Sequence, residues 1–158
     1  VIDVIAKISE AAGSCGMIGG QTVDIEASGK NIDDKTLFYI DLHKTARLLQ
    51  ASIWSGARLA EARDEDLKTL ELYGEKIGII FQITDDILDV IGDEKLIGKP
   101  IGSDIKNKKN SFMSIYGLEK SRKVIKKLSG EAKELVMPYE NGSGFFTQLV
   151  DYLANRNL

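Results

Sequence analysis

The sequence predicts an all-α helical bundle with no strands. Two observations carry that expectation: apolar residues recur every three or four positions along most of the chain, and proline, which would interrupt such helices, stands only at Pro100 and Pro138. With 43% hydrophobic and 28% charged positions in 158 residues, one core is expected rather than two.

Charge and composition exclude several function classes. The net charge of -3 comes from 21 basic and 24 acidic residues interspersed along the chain, so no general basic field awaits a nucleic-acid backbone or an anionic membrane. Any anion has to be held by a local site. The longest apolar stretch, Ile77 to Ile83, is far short of the roughly 20 residues of a membrane-spanning helix, and no charged-then-apolar leader opens the chain. Cys15 is the only cysteine; it cannot form an internal disulfide and fits a reducing, cytoplasmic setting.

Taken in order, the first helical region runs from the start toward Ala27. Val1, Ile5, Ile8 and Ala12 follow the spacing of a helix already in progress, without an initiator methionine or a capping residue, as in a fragment of a longer protein. Gly13, Gly16, Gly19 and Gly20 loosen this region and admit close approach of either another helix or a ligand. Ser28 to Asn31 form a turn, Asp33 and Asp34 suit a helix start, and helix follows to about Ala62. On it, Phe38, Tyr39 and Trp54 share a stripe with Leu42 and Leu49 and are expected in the core. His43 lacks a second histidine or cysteine nearby and is expected to be packed or at the surface.

Asp64 and Asp66 open the next helix, whose apolar positions Leu67, Leu70, Ile77, Ile80, Phe81 and Ile87 carry it to about Val90. From Gly92 to Asn110, glycines, prolines and lysines without an apolar period predict a long loop over a site. Shorter helices are expected at about Ser111 to Tyr116, Leu118 to Met137 and Gly144 to Asn155, with a turn at Asn141 to Ser143.

Three carboxylates crowd the end of the helix that closes near Val90, in QITDDILDV. Asp85 and Asp89 project from one face with Gln82 a turn earlier, and Asp86 lies about 100° around. Like charges at this spacing repel, and the helix C-terminus already disfavours negative charge. A bound cation reverses that balance, and hard oxygens with no nearby histidine or cysteine point to magnesium (Mg2+), with water and phosphate oxygens completing its shell. The alternative is a solvated acidic face.

Lys44 and Thr45, in HKTARLL, interrupt an apolar stretch, while Lys99 and Lys109 lie in the loop after the aspartates. Each lysine alone is compatible with surface solvation. As a set facing a magnesium-bearing carboxylate face, they and the threonine hydroxyl make a complete diphosphate clamp.

The segments GGQTVDIEASGK, HKTARLL, FQITDDILDVIGD, LIGKPIGSDIKNKKNSF and the closing NRNL resemble, in order, motifs of the trans-prenyl diphosphate synthases, the farnesyl and geranylgeranyl diphosphate synthases among them, with a short, bacterial-type spacing most similar to farnesyl diphosphate synthase (geranyltransferase). The resemblance spans nearly the whole chain. It implies a helical bundle of the isoprenoid synthase type, of which residues 1–158 form the C-terminal part. It also implies a reaction joining an allylic diphosphate to isopentenyl diphosphate. Asp85 and Asp89 would hold magnesium on the allylic diphosphate, Asp86 would support them, and Lys44, Lys99 and Lys109 would grip the same group. Thr45 and Gln82 would lie near the reacting carbons, Phe81 would flank the isopentenyl diphosphate site, and Gln21 and Asp24 would line the cavity near the metal. Phe112 and Ser111 stand where the family has mostly tyrosine and threonine. A homodimer is also implied.

One departure is large. The family's first aspartate-rich motif and its adjacent arginine pair do not occur in this sequence. The chain alone is therefore expected to be inactive unless the other half is supplied. The alternative is a non-catalytic regulatory or partner subunit of a prenyl synthase, against which the retained Asp85, Asp89, Lys44 and Lys99 argue. A helical metal phosphohydrolase would need a histidine-rich ligand set that a single histidine does not provide.

Overall fold

A computed structural model of the chain describes residues 1–91 and 109–156, and among these the regular elements are all helical. In order they are α1 (Ile2–Ala12), α2 (Met17–Ala27), α3 (Asp34–Asp41), a π-helical segment (Leu42–Ala46) and α4 (Arg47–Leu59). They continue with α5 (Asp64–Ile91), α6 (Phe112–Val136), a 3-10 turn (Met137–Tyr139) and α7 (Phe145–Asn155). Among the described residues no helix is long and apolar enough to cross a membrane. Most of the expected loop, Lys99 included, lies outside the described residues.

The bundle is organised around α5, because its apolar residues do not keep to one stripe. Leu70, Tyr73, Ile77, Ile80 and Ile87 are buried on one face, Leu67 and Gly78 on a second and Ile79 on a third, and a helix buried round so much of its circumference belongs in the middle of a bundle. On one side it meets α4 and the π-helical segment, and on the other α6 and α7, which contribute Phe112, Ile125, Val136 and Val150 to the same core. Each fully buried aliphatic side chain contributes about 1.5–3 kcal/mol, so this layer is the main stabilising term. Polar latches fix the far ends: the Tyr73 hydroxyl donates to the Phe146 carbonyl at 2.9 Å, and that of Tyr139 to Asp66 at 2.8 Å.

Close approach on the α4 side depends on glycine. A Cβ on Gly78 would stand 2.5 Å from Cα of Ala46, and one on Gly20 would stand 2.3 Å from the Lys44 backbone nitrogen. The π-helical segment is thereby gripped between α2 and α5 with backbone against backbone. Such segments insert an extra residue into a helix and recur at functional sites. Here the insertion falls on Leu42–Ala46, the stretch that carries Lys44 and Thr45.

Several expectations are corrected. The first helical region is two helices, because the chain turns between Gly13 and Gly16, where a Gly16 Cβ would stand 2.1 Å from the Ala11 carbonyl oxygen. Phe38 and Tyr39 are not core residues: they are 40% and 38% exposed, Phe38 edge-on to Phe112 and Tyr39 stacked on His43. The inserted π-helical residue shifts the stripe that the spacing had implied. Trp54 is half-buried, beneath the Lys7 ammonium.

Other boundaries agree with the sequence reading. Asp33 caps α3, accepting from the Thr36 backbone N–H at 2.8 Å, and Ser111 caps α6 reciprocally with Ser114. The expected break near Tyr116 is a kink inside α6 at Gly117, whose φ of 73° suits glycine.

Candidate active site

Four elements bring polar side chains to the C-terminal half of α5. From the π-helical segment, the Thr45 hydroxyl donates to Gln82 Oε1 at 2.8 Å. Gln82 Nε2 in turn donates to Asp86 Oδ1 at 2.9 Å, and the Phe112 backbone N–H donates to Asp86 Oδ2 at 2.9 Å. A carboxylate only accepts, so Asp86 orients the Gln82 amide with its nitrogen inward and its oxygen toward Thr45. Asp86 is buried with its charge satisfied by donors, and it ties α5 to the start of α6.

The cationic side is held just as tightly. Lys44 Nζ donates to Asp24 Oδ2 at 2.6 Å, joining the π-helical segment to α2, and Asp24 is buried. Gln21, one turn earlier on α2, is exposed and shares a cleft of about 330 Å3 with Met17, Ile18, Thr22 and Lys44. Lys109 lies away from that cleft, at the edge of a larger one of about 700 Å3 with Val90, Asn110 and Ser111. His43 is packed, its Nδ1 2.8 Å from the Tyr39 carbonyl oxygen.

The three aspartates divide in a way helical spacing did not indicate. Asp89 is buried with Asp86, whereas Asp85 is half-buried and accepts from Arg156 at 3.2 Å. The Arg156 guanidinium also lies over the Phe81 ring, 4.0 Å from its centroid. Thus two bonded groups meet at the π-helical segment, the Lys44–Asp24 pair and the chain from Thr45 through Gln82 to Asp86, with Asp85 and Phe81 joined through Arg156.

Beneath this network sits Asp41, which the sequence reading did not single out. It is 4% exposed, and its Oδ2 has no hydrogen-bond partner. Burial first, then the neighbouring charges of Asp86 and Asp24, raise its carboxyl well above the ordinary carboxylate range, with Lys44 acting in the opposite direction. A raised folded-state value means the folded chain binds the proton more tightly than the unfolded one. Stability is then greatest below the ordinary value of 3.8 and falls as pH rises toward the folded-state value. Asp41→Asn is therefore expected to raise the urea midpoint at pH 8, by about 1–3 kcal/mol of stability, and to gain much less at pH 4. Equal gains at both pH values would show that burial of the charge is not the cause.

A family model described as Polyprenyl synthetase matches residues 2–138, which take in α1 to α6. The chain belongs to the polyprenyl synthetase family. It is 38% identical to a geranylgeranyl diphosphate synthase of Cyanophora paradoxa over 99% of this chain and 53% of the relative. It is equally 38% identical to the farnesyl diphosphate synthase of Bacillus subtilis, over 98% of this chain and 52% of that enzyme. Among solved structures it is similar to a geranyltransferase of Helicobacter pylori complexed with magnesium and isoprenyl diphosphate, at 31% identity and a TM-score of 0.81, covering 96% of this chain and 50% of that one. The chain spans about half the length of the curated relatives it matches. A heptaprenyl diphosphate synthase of Staphylococcus aureus shares the all-α fold, at a TM-score of 0.87 and 22% identity.

For a polyprenyl synthetase the donor chemistry fits magnesium. Asp85 and Asp89 offer oxygen only, and Asp85 already attracts a cation, the Arg156 guanidinium. Among the described residues no three carboxylate, histidine or cysteine side chains converge closely enough to enclose a metal alone. Of the residues missed in the sequence, Asp41 left a signal, since it lies one turn after apolar Leu37 on the same helix face and three residues before Lys44. Arg156 left only its place as the single charged residue of NRNL.

Proposed function

We propose that this chain forms the diphosphate-and-magnesium half of a prenyltransferase that condenses an allylic diphosphate with isopentenyl diphosphate. It would be the C-terminal part of one polyprenyl synthase domain and act in a homodimer. The observation that supports this reading best is the hydrogen-bonded chain from Thr45 through Gln82 to Asp86, next to the Lys44–Asp24 pair on the same π-helical segment and beside Asp85 and Asp89. Magnesium, held by Asp85 and Asp89, would neutralise the departing diphosphate as the allylic carbon–oxygen bond breaks.

The remaining tasks fall to side chains of the chain itself. Lys44, with Lys99 and Lys109 from the following segment, would bind the same diphosphate. Asp24 holds the Lys44 ammonium in place until that anion arrives. Because the Thr45 proton is spent on Gln82, the lone pairs of the Thr45 oxygen are what the site offers to a developing allylic cation. Phe81 would flank the isopentenyl diphosphate, and Gln21 and Asp24 would line the allylic side. The names of the relatives, synthases of geranylgeranyl and farnesyl diphosphates, support this substrate class.

Calorimetry with methylenebisphosphonate, a non-hydrolysable diphosphate analogue, tests the reading on the chain alone. Binding is expected in millimolar magnesium and is expected to vanish with a chelator. Co-expression with a family N-terminal half carrying the first aspartate-rich motif is expected to restore transfer from labelled isopentenyl diphosphate. Magnesium-independent binding of the analogue would sink the proposal.

A further inference from the structure

The C-terminal end of α5 presents an electrostatic problem that the fold solves from outside the helix. Its last turn contains no basic residue, yet Asp89 stands in it, where the helix dipole is unfavourable to carboxylates, and Asp85 and Asp86 crowd the turn before. Asp86 is satisfied by the Gln82 amide and the Phe112 N–H. Asp85 also receives a cation from the far end of the chain, because Arg156 follows directly on α7 and points its Nη2 at Asp85 Oδ1.

The attachment of that guanidinium is incomplete. One of its faces rests on the Phe81 ring, one edge donor reaches Asp85, and Nε is buried without an acceptor. Arginine has five N–H donors in a rigid fork, a shape suited to two oxygens of a phosphate. Arg156 is only 18% exposed, so the cost of its unused donor is real and is removed when an anion enters beside it.

We propose that Arg156 is a resting counter-ion of Asp85, competing with the divalent cation for that carboxylate and turning to the diphosphate once magnesium takes its place. This rests on the reading of Asp85 as a magnesium ligand. Two cations on one half-buried carboxylate repel each other strongly, so the guanidinium lowers the affinity for magnesium alone. With the polyanion present, the same charge becomes attractive. The two effects of Arg156 therefore have opposite signs, which a merely structural ion pair would not produce.

The test is calorimetric titration of the chain, first with magnesium alone and then with methylenebisphosphonate at saturating magnesium. Arg156→Gln is expected to bind magnesium about fivefold more tightly or better, and the bisphosphonate about fivefold more weakly or worse. Arg156→Lys, which keeps the charge and serves if the glutamine variant unfolds by circular dichroism, is expected to bind magnesium as weakly as the wild type. In an Asp85→Asn background, Arg156→Gln is expected to leave magnesium affinity unchanged. Unchanged or weaker magnesium binding in Arg156→Gln, or tighter binding in Arg156→Lys, overturns the proposal. A wild-type chain that binds magnesium but no bisphosphonate overturns the prenyltransferase reading, while the magnesium arm still decides the role of Arg156. A wild-type chain that binds no magnesium overturns both.

Discussion

Asp85→Ala, assayed with the complementary half of a synthase domain supplied, is expected to lower prenyl transfer at least about a hundredfold while leaving the helical circular dichroism signal intact. The size follows from where charge develops. When the allylic carbon–oxygen bond breaks, negative charge grows on the diphosphate, and every cation placed beforehand stabilises that transition state more than the ground state. Asp85 would position such a cation without sitting in the core, since it is half-buried on the outer side of α5. Its truncation leaves the isoleucine layer of the bundle untouched. Asp86 offers the contrast, because both of its oxygens hold the fold together, one at Gln82 and one at the start of α6. Steady-state transfer measured alongside thermal denaturation separates the two kinds of carboxylate. Turnover retained in Asp85→Ala would remove the magnesium assignment at that residue.

A second large effect is expected where no chemistry occurs. Gly78→Val places branched carbon where even a Cβ would approach Ala46 Cα and Cβ at 2.5 Å. No flexible side chain is there to yield, only backbone and a methyl group. Either α5 moves away from the π-helical segment or the segment itself shifts. Overpacking of this kind costs about 1–3 kcal/mol or more. A displacement also breaks the Thr45–Gln82 hydrogen bond, which spans the two elements at 2.8 Å. Chemical denaturation is expected to show the stability loss, and bisphosphonate calorimetry a simultaneous loss of affinity. A variant as stable as the wild type would show that the two backbones are not in obligatory contact. Gly56→Ala serves as the control, because nothing lies within 4 Å of a Cβ there.

Much of this architecture was legible in the sequence, for identifiable reasons. The span of α5 followed from Asp64 at its start and the apolar period through Ile87, and the break beside Tyr116 from Gly117. Local propensity and periodicity suffice for such features. They did not suffice for the π-helical segment, since an inserted residue leaves no mark on composition and only displaces the faces around it. Phe38 and Tyr39 were misplaced for that reason. The site divided in the same way. That Asp85, Asp86 and Asp89 form a cluster is a matter of spacing, but which of them is buried depends on α6 and α7 packing against α5. Asp41 owes its surroundings mainly to Asp86 and Asp24, and Arg156 to Asp85 and Phe81, all distant from them in the chain.

The inserted residue between Leu42 and Ala46 also governs how the chain tolerates changes in length. It offsets α3 rotationally from α4 by about one residue's turn, roughly 100°. A one-residue deletion inside those five positions would bring the two halves into phase as a continuous α-helix and swing the anchored ammonium and hydroxyl away from their partners on α2 and α5. The same deletion in the exposed stretch from Asn141 to Ser143 has slack to absorb it. Natural insertions and deletions in this half of the synthase fold should therefore gather at the bundle's outer turns and spare the segment where the helix changes its winding.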